Sequence, residues 1–500
     1  MALLYINKQT EAEKDSYLFD CFHDTGILNE LVNSSSTIIA GRKGSGKTAL
    51  ARYLEKNTSK YKVDFAYRIS VRNFNTLGSS DQKTKLNSIL FYIAVKSIQK
   101  MLNINFFDSD SLAYWKDFLL QNGLQQTSDY ESFVVTQKTR GSNFSIKAVA
   151  SYLFASIDSQ IKSNTQSTSD RIKISESPSS IYESLRQTVS PKKSIIIFID
   201  DISDYLDESD TQNLKDDINI IKDLLLGLQT INLLFLESEL NVRFVSLIRE
   251  DLYEFMEGSN INKLKSDSLF LEWNQKDFAN LLIKRMPYFE NNLDFYLKDP
   301  VKSLKERFPD EIFSTFLKKF STKRYGCNFY AYMAAISFNR PRDFLQFCYA
   351  LRNRLSSKGP ATFENIESAE IEYSNYFIQE LRDELYIASR VFQYDLTQER
   401  IDNLIDILSQ REGFNTSQLK TDLSHFINVK TSIGWKKIEM LISELWRYGV
   451  IGVSDDSDSI IRFKYLYDSA VFTSQSIKKY VFFLHRGLWW FSRKRKGITD

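Results

Sequence analysis

The stretch TIIAGRKGSGKTALARYLEK, residues 37–56, decides the fold. It opens on a short β-like run, Thr37-Ile38-Ile39-Ala40, passes through Gly41-Arg42-Lys43-Gly44-Ser45-Gly46-Lys47-Thr48, and continues into the helix-favouring Ala49 to Lys56. That is strand, G-x-x-x-x-G-K-T, helix. The spacing has a mechanical reason: glycines let successive backbone N–H groups turn inward around a phosphate, and the helix N-terminus adds its partial positive charge. Gly41, Gly44, Ser45, Gly46 and Ala49 frame this cradle. Lys47 is placed to reach the β- and γ-phosphates, and the Thr48 hydroxyl to ligate a Mg²⁺ bridging them. A chance glycine-rich turn matches the same pattern, but rarely with a strand before it and a helix after it.

A second, independent pattern lies further along. Pro191-Lys192-Lys193-Ser194 leads into Ile195-Ile196-Ile197-Phe198-Ile199, which ends in Asp200-Asp201. Five consecutive large apolar residues suit a central parallel strand covered on both faces, and a carboxylate at its C-terminal end falls beside the phosphate loop. Asp200 is the expected metal-side acid. Asp201 is the expected orienter or base for the attacking water, with Asp204 its rival; either could instead cap the following helix.

Outward from these two runs, residues 61–71 read as a second strand, and Leu86, Ile89, Leu90 and Ile93 mark a helix by their spacing. The interval before the Asp200 strand exceeds what a βαβ crossover needs, so an insertion is expected over 100–190, with a helix near Leu112–Leu120 and a mobile, Ser/Thr-rich loop over 159–180. Leu214, Ile218, Ile221, Leu225 and Leu228 predict another helix, and Asn241–Ile248 another buried strand that delivers Arg249 to the ligand edge of the sheet. There Arg249 can sense the γ-phosphate, or simply pair with Glu250, Asp251 or Glu254. Leu269-Phe270-Leu271 closes the sheet, and Asn274 with Asp277 starts a helix through a capping box. Pro341 predicts a helix start that puts Arg342 in a first turn, where it can lean over a nucleotide or remain a surface arginine. Ile438, Leu441, Ile442 and Leu445 stripe a helix ending at Gly449; Val450–Val453 and Ile460–Phe463 predict a hairpin around the acidic 455–459.

Composition narrows the classes. The 500 residues are 43% hydrophobic and 26% charged, which describes a packed chain of several domains. Lys and Arg number 65 against 63 Asp and Glu, so no global positive field drives nucleic-acid binding. Three cysteines and three histidines, widely spaced, exclude a disulfide framework and a zinc site. No export-length apolar run opens the chain and no stretch is expected to span a bilayer, which makes cytoplasmic the expected location.

With both motifs placed, the chain resembles P-loop ATPases of the additional-strand class, at the border of the STAND and KAP groups and the Orc/Cdc6-like AAA+ proteins. The resemblance is carried by GRKGSGKTAL (41–50), IIIFIDD (195–201), SLIREDLYE (246–254), FLEWNQKDFANLLIKRM (270–286), RPRDFLQFC (340–348) and GVIGV (449–453). In order and spacing these are similar to a bacterial family with the GRKGSGKTAL loop, whose members are thought to lie near mobile-element or anti-phage genes. The resemblance implies ATP and Mg²⁺ as cofactors, Lys47 and Thr48 as phosphate and metal contacts, Asp200 as the Walker B acid, Arg249 as a sensor-1-like and Arg342 as a sensor-2-like arginine. Two departures matter: Asp201 stands where most AAA+ enzymes carry glutamate, and no trans-acting arginine finger can be named.

The expected organisation is a leader (1–30) packing on an α/β P-loop ATPase domain (31–274), an all-α lid (275–365) and a winged-helix-like domain (366–500). The expected function is an ATP-binding and ATP-hydrolysing switch, with slow turnover and a role in bacterial anti-phage defence, whose nucleotide site between sheet and lid controls a protein partner, an effector or self-assembly. The alternative is a DNA-associated ATPase gripping duplex with its winged helix, which the aspartates at the wing tip disfavour. A third, a nucleotide-locked scaffold, has no turnover.

Overall fold

The computed structural model describes residues 5–6, 11–71, 82–103, 106–121, 124–126, 133–135, 178–189, 192–205, 213–256, 258–309, 329–355, 360–391, 398–411, 413–427, 432–455, 461, 463, 479–489 and 491. The loop expected at 159–180 lies outside these up to residue 177, as do the residues after 455 expected to form an acidic wing tip and the basic run Arg493-Lys494-Arg495-Lys496. Contacts divide the chain into two units: Gly26–Lys43 with Lys47–Leu271, and Met1–Thr25 with Gly44–Gly46 and Glu272–Asp500.

The first unit is built on a five-stranded sheet in the order β2-β5-β6-β1-β7. The strands are β1 (Ile38–Gly41), β2 (Phe65–Ser70), β5 (Ile195–Asp200), β6 (Val242–Arg249) and β7 (Leu269–Phe270). Every pairing is parallel. β5 explains the sheet: Ile195 to Ile199 are wholly buried, and burying each such side chain stabilises by about 1.5–3 kcal/mol. Only a strand covered on both faces can use five in a row. The register then sets the chemistry, because Ser70 lies level with Asp200 and Gly41 level with Arg249. Four residues thus come to the C-terminal edge of neighbouring strands. β6 lies between β1 and β5.

Helices Gln82–Asn103, Pro178–Thr188 and Asn213–Glu237 pack together in this unit. Tyr182 donates to the Leu90 carbonyl at 2.9 Å, fixing the end of the long interval against the helix after β2. The expected helix near Leu112–Leu120 runs Ser109–Gln121, and the interval also holds a short antiparallel pair, β3 (Leu124–Gln126) and β4 (Phe133–Val135). One expectation is corrected: Asp217–Glu237, 21 residues, is long and apolar enough to cross a membrane by length and composition. Here its Ile220, Ile221, Leu224, Leu225 and Leu228 are buried, and the helix packs on β6.

The second unit is helical with one small sheet. Asn274 accepts from the Lys276 and Asp277 amides while Asp277 accepts from the Asn274 amide, so the capping box starts helix Gln275–Lys284. Helix Pro341–Arg352 begins with proline at its first position, where the missing N–H costs nothing. A single hydrophobic core runs from Phe278 to Leu488 and includes Phe344, Phe377, Leu441 and Phe482, with helix Phe363–Val391 passing through it. Near its C-terminal end the order is helix Gln398–Leu408, β8 (Phe414–Asn415), helices Thr416–Ile427 and Ser432–Arg447, β9 (Ile451–Asp455) and β10 (Tyr480–Leu484), in a sheet ordered β8-β10-β9.

The strand Val450–Val453 was expected to pair with 460–463, of which 460 and 462 lie outside the described residues; β9 pairs antiparallel with β10, Leu484 opposite Ile451. Ile461 and Phe463 lie over Gly452, where an added Cβ would meet Ile461 Cγ2 at 2.5 Å. A glycine there lets those side chains cover the strand. The leader also divides. Ile27–Asn33 forms a helix of the sheet unit, but the residues before it belong with helix Gln275–Lys284. Arg285 holds Asp15 at 2.6 Å and the Tyr5 carbonyl at 3.0 Å, and Lys284 donates to the Phe22 carbonyl. A buried guanidinium must find acceptors, and the leader supplies them.

Candidate functional site

The loop after β1 is shaped by two left-handed residues, Gly44 (φ 81°) and Gly46 (φ 103°), a region where a side chain is costly. Helix Lys47–Lys56 follows at once, so Lys47, Thr48 and Ala49 form its first turn. Lys47 Nζ donates to the Gly41 carbonyl at 2.7 Å and the Arg42 carbonyl at 3.0 Å. The lysine is folded over its own loop. Ser45 Oγ is buried without a hydrogen-bond partner.

Across the sheet edge, the Thr48 hydroxyl donates to Asp200 Oδ2 at 2.8 Å. The Asp201 amide donates to Asp200 Oδ1 at 2.8 Å, which orients the carboxylate. Asp201 itself sits at φ 59°, a left-handed conformation that Asp tolerates better than most residues. Its Oδ2 accepts from Ser70 Oγ at 2.5 Å. Asp204 lies in the short turn Ile202–Tyr205, its side chain outside the described residues.

Sequence reasoning missed Arg68. Its Nη1 donates to Asp200 Oδ2 at 3.0 Å, the same oxygen that accepts from Thr48, and lies 3.6 Å from Asp201 Oδ2. The only signal was alternation along β2, which puts Arg68 and Ser70 on one face.

Arg249, expected as a sensor, makes the competing contact: Nε and Nη2 hold both oxygens of Asp251, at 3.0 and 2.5 Å. Burial pushes the Asp251 carboxyl up, but the charges of Arg249, then Arg42 and Lys47, outweigh it and hold the group below its ordinary range. Asp251 therefore lies within the field of the loop cations Arg42 and Lys47.

Gly44–Gly46 group with the helical unit, where Trp273 Nε1 donates to the Ser45 carbonyl at 2.8 Å. The Arg342 amide lies 3.4 Å from the Gly44 carbonyl, and a Cβ on Gly44 would meet Arg342 Cβ at 3.1 Å. Arg342 thus lies along the loop tip, its Nη1 3.5 Å from Glu380 Oε2. Its neighbour Arg340 points into the core, bidentate on Asp343 and bonded to Glu384.

Among the described residues no group of three or more His, Cys, Asp or Glu side chains converges as a metal cage. The donors that do meet, Thr48 and Asp200, are hard oxygens of the kind suited to Mg²⁺, which takes its remaining ligands from water and substrate phosphates. With the glycine cradle and the orphaned Ser45 hydroxyl, the residues present fit a phosphate ester carrying that ion.

This is a mixed α/β chain whose parallel-strand core is followed by helices. Residues 292–382 match the family described as FunZ-associated C-terminal helical domain. No curated protein matches the chain. Among solved structures it is similar to the crystal structure of Cdc6p from Pyrobaculum aerophilum, at 11% identity and TM-score 0.27, covering 98% of this chain and 95% of that one. It is also similar to the structure of Drosophila ORC bound to DNA, at 10% identity and TM-score 0.26, covering 98% of this chain and 88% of that one.

Proposed function

We propose that the chain is an ATP·Mg²⁺-binding switch with slow hydrolysis. The observation that carries this reading is the convergence of Thr48 on Asp200, 2.8 Å apart, beside a left-handed glycine loop whose lysine opens the next helix. The position of β6 between the loop strand and the Asp200 strand supports the additional-strand P-loop class.

In this reading the amides of residues 44–49 hold the phosphates, and Lys47 exchanges its two carbonyl partners for phosphate oxygens. Thr48 and Asp200 hold Mg²⁺, whose chemistry is to neutralise charge building on the transferred phosphoryl group. Asp201 orients the attacking water, but its Oδ2 is already occupied by the Ser70 hydroxyl and lies 3.6 Å from the Arg68 guanidinium. Slow turnover follows. Arg249 exchanges Asp251 for the γ-phosphate, and Arg342, lying along Gly44, converts loop geometry into a change within the helical unit.

The order helix, β8, helix, helix, β9, β10 supports a winged-helix-like end to that unit. Two of its described cations are paired: Lys420 Nζ lies 2.5 Å from Glu439, and Arg447 3.7 Å from Glu444. That favours a protein partner over a DNA backbone. The test is molecular mass and phosphate release from the purified chain with and without ATP·Mg²⁺. Uptake of nucleotide with slow release and a changed mass is expected; absence of any nucleotide uptake by folded chain would falsify the reading.

A further inference from the structure

Arg68 enters the nucleotide reading only as a neighbour of Asp201, yet its hydrogen bond goes to Asp200. Arg68 and Ser70 leave the same face of β2, and Ser70 is level with Asp200, so the guanidinium arrives at the carboxylate pair from the neighbouring strand. It takes Asp200 Oδ2 at 3.0 Å, beside the Thr48 hydroxyl on the same oxygen, with Asp201 Oδ2 at 3.6 Å as a second acceptor in reach. These side chains are not sealed: Arg68 is 17% exposed and Asp201 15%. A guanidinium in such a position can trade partners without entering an apolar core.

We propose that Arg68 is a resident counter-cation that competes with a divalent ion for Asp200. Two adjacent carboxylates repel each other, and one guanidinium bonded to Asp200 and 3.6 Å from Asp201 offsets that repulsion. A divalent ion on Asp200 Oδ2 meets that guanidinium as a like charge, so Arg68 withdraws from Asp200 onto Asp201. The ion must displace an existing ion pair, which raises the concentration at which the site fills. Arg68 is therefore a positioning residue that acts through the two carboxylates.

The proposal rests on the nucleotide reading only in taking Asp200 as the metal-side acid, and its test needs no nucleotide. Binding of Mn²⁺ alone to the full chain is followed by electron paramagnetic resonance of the free ion. Arg68→Gln is expected to bind Mn²⁺ about 5- to 10-fold more tightly than the wild type, because the competing charge is gone. Adding Asp200→Asn to that variant is expected to abolish the gain. Should Arg68→Gln fail to fold by circular dichroism, Arg68→Lys serves, since a single ammonium spans the two carboxylates less well than a guanidinium; a gain of roughly 2-fold is expected. Affinity that is unchanged or weakened in the variant that folds, or a gain that survives Asp200→Asn, overturns the proposal. Failure of the nucleotide reading would show separately, as no ATP uptake by the wild type in calorimetry.

Discussion

The two units use charged side chains in opposite ways. At the edge of the sheet, Arg68 is 17% exposed, Asp201 15%, Arg249 11% and Asp251 19%, ranged around an Asp200 that is itself buried at 6%. In the helical unit, Arg340 is 1% exposed, Asp343 0% and Glu384 5%, while Arg285 with Asp15 stands at 3% and 5%. Wet pairs cost little to exchange, because solvent covers the intermediate. A dry cluster cannot open without stranding a charge. The first arrangement suits a place where a ligand must displace internal partners; the second suits a scaffold.

Breaking the dry cluster should produce the largest effect. Arg340→Ala leaves Asp343 and Glu384 buried without their cation and takes away a guanidinium that also packs 4.7 Å from the Phe338 ring. A cost of about 3–5 kcal/mol is expected, read as a lower urea midpoint of the transition that reports the helical unit. If the midpoint stays where it was, the cluster is no scaffold and the contrast between the units fails.

Lys47→Ala should leave the fold intact, since the lost bonds go to two carbonyls of its own loop. Removing a charge-assisted contact of about 1.5–3 kcal/mol predicts ATP affinity roughly 10- to 100-fold weaker by calorimetry. An unfolding midpoint that drops along with affinity would move Lys47 into the scaffold class. Gly44→Ala tests where the two demands meet. An L-residue at φ 81° costs about 1–2 kcal/mol, and its methyl would press on Arg342 Cβ at 3.1 Å. Thermal stability and nucleotide affinity should therefore both fall modestly; a change in only one would separate loop from helix.

Local patterns were legible in the sequence, and partners distant along the chain were not. The run Ile195–Ile199 announced a central strand because only one environment accepts five apolar residues together. The loop glycines, the Asn274–Asp277 box and Pro341 were readable because each acts within four residues of itself. Arg68 was not, since its role depends on β2 lying beside β5, and strand order leaves no mark on β2. The same holds for β10, which lies 25 residues beyond the last residue of β9, and for Arg285, whose partner Asp15 lies 270 positions back. Arg249 differed again. Both its roles were visible beforehand, and the described contact is with a carboxylate two residues away, tethered at high local concentration.

That last contact yields the finest test. If Asp251 stands in for a phosphate, Asp251→Asn should free Arg249 and strengthen ATP binding by about 2- to 5-fold, a fraction of a surface-pair energy. The gain should vanish in an Arg249→Ala background. Its pH dependence is fixed by sign. Arg249, Arg42 and Lys47 hold the Asp251 carboxyl below its ordinary 3.8, so the pair contributes stability above that value and loses it as pH falls through the lowered one. Between pH 5 and 8 the carboxylate stays ionised throughout, and the advantage of Asp251→Asn should be flat. Only below 3.8, as pH falls through the lowered value, does the wild type lose the competing charge by protonation, so the two proteins should converge there and not before. An advantage that instead varies across neutral pH would mean that another group, and not Asp251, occupies Arg249 in solution.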